Sequence, residues 1–429
     1  MNDGQGRWLR WARAALWVVP LVGVSGRWVG LCLLMGLAGG CQSGGSGGSG
    51  RSGSSVSSEG EPNDSFAQAG KVAFNSAKSA SILGTIDNPG DLDVYDLGPM
   101  VRGNRIVVSV DSLTSGFDFS IALFDGDFKL FMDNDDRDLD ARRLDPFVDQ
   151  VVRHEGVNYY LVVGQSAFAG VGPTQGDYRA DVEITSGQTV PPTKRQPIFP
   201  NFDGGEVEPD NLLVKNVRAF DASAISVIYA GQDDIIIQSI VDTMRENFDR
   251  FDVEIITDPA DLPADGQYMT IMFGSRSARA FGISETVDHY NSVQNDTAII
   301  FTESFTPLQF QPPRPDAAEL GVAIGNIASH EAGHLLGLNH VDDTAALMDA
   351  VSPADTFLED QNFMDAPLSG DILPIGTQDS ALLLSESVGL LPGVILQRGG
   401  PIAWPATRRY KFMAGASWCG TCNRKLLGR

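Results

Sequence analysis

Three of the chain's five histidines fall within residues 330–340, which read HEAGHLLGLNH, and this cluster dictates most of what must be built around it. His330 and His334 are four apart, so on a helix both imidazoles leave one side, about one turn apart, and can reach one metal ion. Glu331 sits about 100° around the same helix, beside the ligands and placed to touch water. Gly337 can adopt the left-handed conformation that ends a helix and reverses the chain. That turn lets His340 come back as a third ligand. Three neutral imidazoles leave a fourth position on zinc for water, as a catalytic site requires. Upstream, Pro315, Asp316 and Glu319 supply a stop, a cap and a capping-box partner, and Leu320, Ile324, Ile327 and Leu335 an apolar face, so a helix is expected from Asp316.

The full spacing, His330-Glu331-x-x-His334-x-x-Gly337-x-x-His340, resembles the signature of the metzincin zinc endopeptidases. The resemblance implies a zincin-like fold, Zn(2+) held by His330, His334 and His340, and Glu331 as the catalytic base. It also implies a methionine turn beneath the metal, for which Met348 in AALMDA is the match. Val341, Asp342 and Asp343 follow the third histidine in place of a familiar subfamily signature, and no tyrosine follows Met348 closely. The substrate-aligning edge strand is expected at residues 296–303, DTAIIFTE, by its order in the chain.

Residues 211–393 read as an α/β (α+β) domain. LLVKNVRAF, AISVIYAG, DVEIITD, YMTIMFGS and DTAIIFTE suggest strands, and DDIIIQSIVDTMRENF has helical periodicity with Ile236, Ile240, Met244 and Phe248 on one side. Residues 59–185 are different in kind: short alternating or apolar runs such as RIVVSVDSL, FDFSIALFD and NYYLVVGQ, separated by turns, indicate an all-β domain. The pieces EPNDSFAQA, GTIDNPGDLDVYDL, DNDD, GVNYYLVV and GDYRADVEI, in that order, resemble the bacterial pre-peptidase C-terminal domain. That implies a jelly-roll-like β-sandwich accompanying a secreted peptidase. The architecture expected is thus multidomain, an all-β sandwich followed by a zincin-like catalytic domain, joined by a Pro/Gly-rich linker at 186–210.

The acidic run Asp133, Asn134, Asp135, Asp136, Asp138 and Asp140 offers the hard oxygens calcium takes, but it lacks the helix–loop–helix calcium spacing and reads as an acidic turn. His154 and His289 stand apart from the cluster and read as structural.

The formal net charge is −24. A nucleic-acid partner is excluded, because a phosphate backbone needs stripes of Lys and Arg. Residues 1–40 carry four arginines among two apolar stretches and end in small residues before Cys41, the form of an export signal. Leu37-Ala38-Gly39-Gly40-Cys41 resembles a bacterial lipoprotein cleavage site, which implies lipidation of Cys41 and a membrane tether facing outside the cytoplasm. Residues 41–58 are a Gly/Ser tether. The remaining cysteines, Cys32, Cys419 and Cys422, provide no disulfide framework for the main domains. The tail, 394–429, resembles the opening of a thioredoxin fold but ends seven residues after Cys422, so redox chemistry is not expected of it.

These features point to a zinc-dependent endopeptidase of the cell envelope acting on protein or peptide substrates. The alternative is a non-catalytic surface-binding lipoprotein on a zincin scaffold, which the retention of every ligand and Glu331 argues against.

Overall fold

The computed structural model describes residues 55–138, 141–169, 172–207, 212, 214–350 and 353–396. The residues read as an export signal, Cys41 and the cysteines of the tail, Cys419 and Cys422, lie outside the described residues. No helix among the described residues is long and apolar enough to cross a membrane.

The N-terminal part is β-structure. Its strands are β1 (Ser55–Ser58), β2 (Gly70–Lys71), β3 (Ser79–Ile86), β4 (Leu92–Met100), β5 (Arg105–Ser112), β6 (Phe119–Phe124), β7 (Leu130–Asn134), β8 (Phe147–Val151), β9 (Gly156–Gln165) and β10 (Gly176–Thr185). They form two five-stranded sheets, ordered β1-β3-β10-β5-β8 and β2-β4-β9-β6-β7. β5 shows the alternation that one buried face demands, with Ile106, Val108 and Val110 wholly inside. β9 is instead buried almost without a break. One face of its sheet packs on the partner sheet, while Val94, Phe124, Tyr160 and Val162 on the other face pack with Leu368 and Leu373 from far down the chain. Complete burial of Val94 and Val162 contributes about 2 kcal/mol each.

The later part is α/β. Its strands are β11 (Gln196–Asn201), β12 (Gly205–Glu206), β13 (Asn216–Val217), β14 (Val253–Ile255), β15 (Met269–Phe273), β16 (Gly282–Ser284), β17 (Thr297–Ile300), β18 (Asp365–Pro367) and β19 (Thr377–Asp379). Its helices are α1 (Ala222–Ile225), α2 (Asp233–Asn247), α3 (Ala317–Leu335) and α4 (Ser380–Ser387). The main sheet runs β14-β11-β15-β17-β16, parallel except for β16 at one edge. α2 buries Ile236, Ile240 and Met244, followed by buried Phe248, as its periodicity requires. α2 is tied to α3 by Ser239 Oγ donating to the Ala318 carbonyl and Asn247 Nδ2 donating to Asn326 and Ser329. α3 begins at the expected capping box, with Asp316 and Glu319 each bonding the other's backbone.

Five sequence expectations are corrected. The last residues assigned to the tether, Ser55–Ser58, are β1, paired parallel to β3. The linker contains β11, an interior strand of the main sheet despite Pro197 and Pro200. Gln196 N donates to Asp252 O and Ile198 O accepts from Ile256 N, so even-numbered residues face β14 and odd-numbered ones face β15. Pro197 therefore faces β15 just before pairing begins at Ile198, and Pro200 faces β14 after pairing ends. Neither position needs an N–H. AISVIYAG is helical rather than extended, because Asp221 caps α1 by accepting from Ser223 N, and a 3₁₀ turn, Val227–Tyr229, follows. Among the described residues of LLVKNVRAF, only β13 is strand. Finally, β17 within DTAIIFTE is flanked by β15 and β16, so the edge strand is β16.

Candidate metal centre

α3 carries His330, Glu331 and His334 into the interior, and Glu331 is only 1% exposed. The helix ends at Leu335 with Leu336 as its C-cap, and Gly337 follows with φ +95° while donating its N–H to His334 O at 2.9 Å. A Cβ there would lie 2.8 Å from His289 Cα and 3.0 Å from Asp288 O, so both the conformation and the space require glycine. The reversal returns a fully buried His340 to the helix face.

The three Nε2 atoms converge, at 3.3 Å between His330 and His340, 3.2 Å between His330 and His334, and 3.2 Å between His334 and His340. A tetrahedral zinc ion with bonds of about 2.05 Å holds its nitrogens about 3.3 Å apart, so the triangle has the size that ion needs. The tautomers agree. His330 Nδ1 lies 2.7 Å from Leu347 O and His334 Nδ1 2.7 Å from Leu338 O. Carbonyls only accept, so both Nδ1 atoms carry the proton and both Nε2 atoms present lone pairs. Two lone pairs aimed at each other in a buried site have no proton to share, and a cation satisfies both. His340 Nδ1 stands 3.9 Å from Asp371 Oδ2. Burial pushes the Asp371 carboxyl up, but the neighbouring His340 imidazole and the Ser369 hydrogen bond outweigh it and hold it below its ordinary value.

Met348 is fully buried, and a Cβ on Gly333 would come within 2.6 Å of its sulfur. Val341 N donates to Met348 O at 2.9 Å and Ala350 N to Val341 O at 3.2 Å, which folds this loop beneath the helix. On the other side β16 passes close to Glu331: a Cβ on Gly282 would lie 2.5 Å from Oε1 and 2.6 Å from Cγ. Sequence reasoning missed Gly282, Asp371 and the Leu347 and Leu338 carbonyls. A backbone acceptor has no sequence signature, and Asp371 is 31 residues beyond His340.

The other sequence-named residues lie elsewhere. His154 sits between Asp125 (3.1 Å) and Glu386 (3.3 Å), and His289 lies 3.1 Å from Asp133. In the acidic run, Asp133 and Asn134 end β7, and residue 140 lies outside the described residues. The acidic oxygens that do gather, among the described residues, belong to Glu59, Glu61 and Asp93, within 4.8 Å of one another. Asp93 is fully buried, and its Oδ1 and both polar side-chain atoms of buried Asn63 lack a hydrogen-bond partner. Burial pushes the Asp93 carboxyl up to about 9 despite the Tyr178 hydrogen bond, with Glu59 and Asp91 adding to the rise. A hard divalent cation such as calcium suits such a group.

No protein-family model and no curated protein matches this sequence. Among solved structures, the chain is similar to archaemetzincin from Methanopyrus kandleri, at 14% identity and a TM-score of 0.23, covering 45% of this chain and 95% of that one. It is also similar to a zinc-dependent peptidase from Methanocorpusculum labreanum, at 13% identity and a TM-score of 0.25, covering 44% and 98%. The pre-peptidase C-terminal domain of a Bacillus anthracis collagenase is similar at 15% identity and a TM-score of 0.20, covering 30% and 100%. Likenesses this distant decide nothing about chemistry, and the metal centre rests on its own geometry.

Proposed function

We propose that this chain is a zinc-dependent endopeptidase of the metzincin type that cleaves protein or peptide substrates outside the cytoplasm, tethered to the envelope through Cys41. The observation that carries the reading is the triangle of Nε2 atoms, with the tautomers of His330 and His334 fixed by backbone carbonyls and Glu331 beside it on the same helix. His330, His334 and His340 would hold the metal. Zinc bound there supplies Lewis acidity, lowering the pKa of water towards ~7 and polarising a peptide carbonyl. Glu331 takes the proton from water as the new C–O bond forms and delivers it to the leaving nitrogen as the C–N bond breaks. Among the described residues β16 is the last strand at its edge of the sheet, and it passes beside Glu331 along the line an extended substrate would follow.

The test is cleavage of an unstructured protein by the full chain, with chelator, with zinc restored, and as Glu331→Ala. Activity lost to chelator, regained with zinc and missing in the variant is the expected result. A chain that holds zinc stoichiometrically yet cuts nothing under any condition contradicts the peptidase reading and favours a binding scaffold.

A further inference from the structure

The contact between the sandwich and the α/β part runs up to the third histidine. On β7, Asp133 Oδ1 accepts from Asn339 Nδ2 at 2.7 Å and lies 3.1 Å from His289 Nε2. Two residues earlier on the same strand, Phe131 O accepts from the Tyr290 hydroxyl at 2.9 Å. The Arg153 guanidinium, also from the sandwich, covers the Tyr290 ring at 4.2 Å from its centre. These are not peripheral partners. Asn339 immediately precedes His340, and His289 and Tyr290 belong to the segment pressed against Gly337. Both pieces of chain that define the path from α3 to His340 are therefore gripped by one strand of the sandwich.

Asn339 is also held from its own side. Its N–H donates to Gln378 Oε1 and its carbonyl accepts from Gln378 Nε2, both at 2.8 Å, while Ser369 N donates to His340 O at 3.1 Å. Backbone clamps fix the peptide, but the buried Asn339 side chain is oriented by Asp133, whose charge makes the stronger kind of acceptor. A ligand must stay within about 0.5 Å of its productive position to bind metal well, and rotation about Asn339 moves His340 directly.

We propose that Asp133 is a positioning residue of the metal centre, so that the sandwich forms part of the scaffold that sets His340 and metal affinity depends on it. This inference rests on reading the three histidines as a zinc site.

The experiment uses the full chain and reads metal directly: zinc dissociation constants by competition with a chromophoric chelator, and the visible spectrum of the cobalt-substituted protein. Asp133→Ala is expected to weaken zinc about tenfold and to change the cobalt spectrum, the scale typical of outer partners of metal ligands. Asp133→Asn, which keeps an acceptor oxygen for Asn339, is expected to stay within about threefold of wild type. Asn339→Ala should match Asp133→Ala, and the double variant should be no weaker than the poorer single one, because the two act through one contact. Asp149→Ala, on an exposed pair with Arg105 in the other sheet, should leave affinity unchanged. An Asp133→Ala chain that melts like wild type and keeps its zinc affinity and cobalt spectrum overturns the proposal, as do losses that multiply in the double variant. If Asp133→Ala does not fold, Asn339→Ala carries the same test from the other side, with unchanged affinity again overturning it. Wild-type affinity separates the two failures: no zinc binding at all defeats the metal-centre reading and this proposal together, whereas tight binding indifferent to Asp133 and Asn339 defeats this proposal alone.

Discussion

Gly282→Ala tests the link between the edge strand and the base. The added methyl carbon would sit 2.5 Å from Glu331 Oε1, 2.6 Å from Cγ and 2.8 Å from Cδ. Ordinary contact begins near 3.4 Å, so the carboxylate must retreat by about 0.9 Å. Glu331 is enclosed, so that retreat cannot be absorbed by swinging into solvent. Misplacing a reacting group by about 1 Å costs on the order of 10²-fold in rate, or about 2.7 kcal/mol of barrier. The three nearest atoms all belong to Glu331 and none to a histidine, so zinc stoichiometry and affinity should remain those of wild type. The assay is kcat and KM on an unstructured protein substrate, with zinc content measured on the same preparation. The fall is expected in kcat. A zinc-loaded Gly282→Ala chain with wild-type kcat would refute the reasoning, because Glu331 could then not be the proton carrier at this position.

Two further outcomes follow from buried carboxylates. Asp296, at the entry to β17, is raised to about 7, mainly by burial and further by Asp288 and Glu285. From about pH 4 to about pH 7 the folded chain thus keeps a proton that the unfolded chain releases, so stability falls as pH rises through that window; the full shift corresponds to about 4 kcal/mol, or about 2 kcal/mol after solvent screening. Asp296→Asn should remove that part of the decline in urea unfolding compared at about pH 5 and about pH 8, and an identical decline in both proteins would rule the assignment out. At the Glu59, Glu61 and Asp93 group, calcium at about tenfold its dissociation constant should stabilise the chain by about 1.4 kcal/mol, raising the melting temperature by a few degrees. The rise should vanish in Glu61→Gln, an exposed change that leaves the core intact, and a wild-type melting curve indifferent to calcium would exclude the site.

What could be read in advance was what depends on local spacing. The capping box, the long helix α3 and the convergence of its two histidines follow from residues three and four apart, and Gly337 announces the turn that returns His340. The rest depends on partners distant in sequence. The prolines of β11 read as linker because the side on which each lacks an N–H is known only once β14 and β15 are in place. The run NYYLVVG is apolar enough to be covered on both faces, yet its second cover, Leu368 and Leu373, lies about two hundred residues away. β16 has only three residues, too few to show periodicity, so the edge was assigned to its longer neighbour. AISVIYAG carries a strand-like pattern that the Asp221 cap overrides.

The grip of β7 on Asn339 also sets an order of assembly. A chain made from its N-terminus completes the sandwich sequence before α3 exists, and Gln378, which clamps Asn339, comes later still. His340 is therefore held in its final setting from both sides only once the segment through β19 has docked beside β7. The candidate metal centre would thus take its final form among the later folding events of the chain, after most of the scaffold around it is in place.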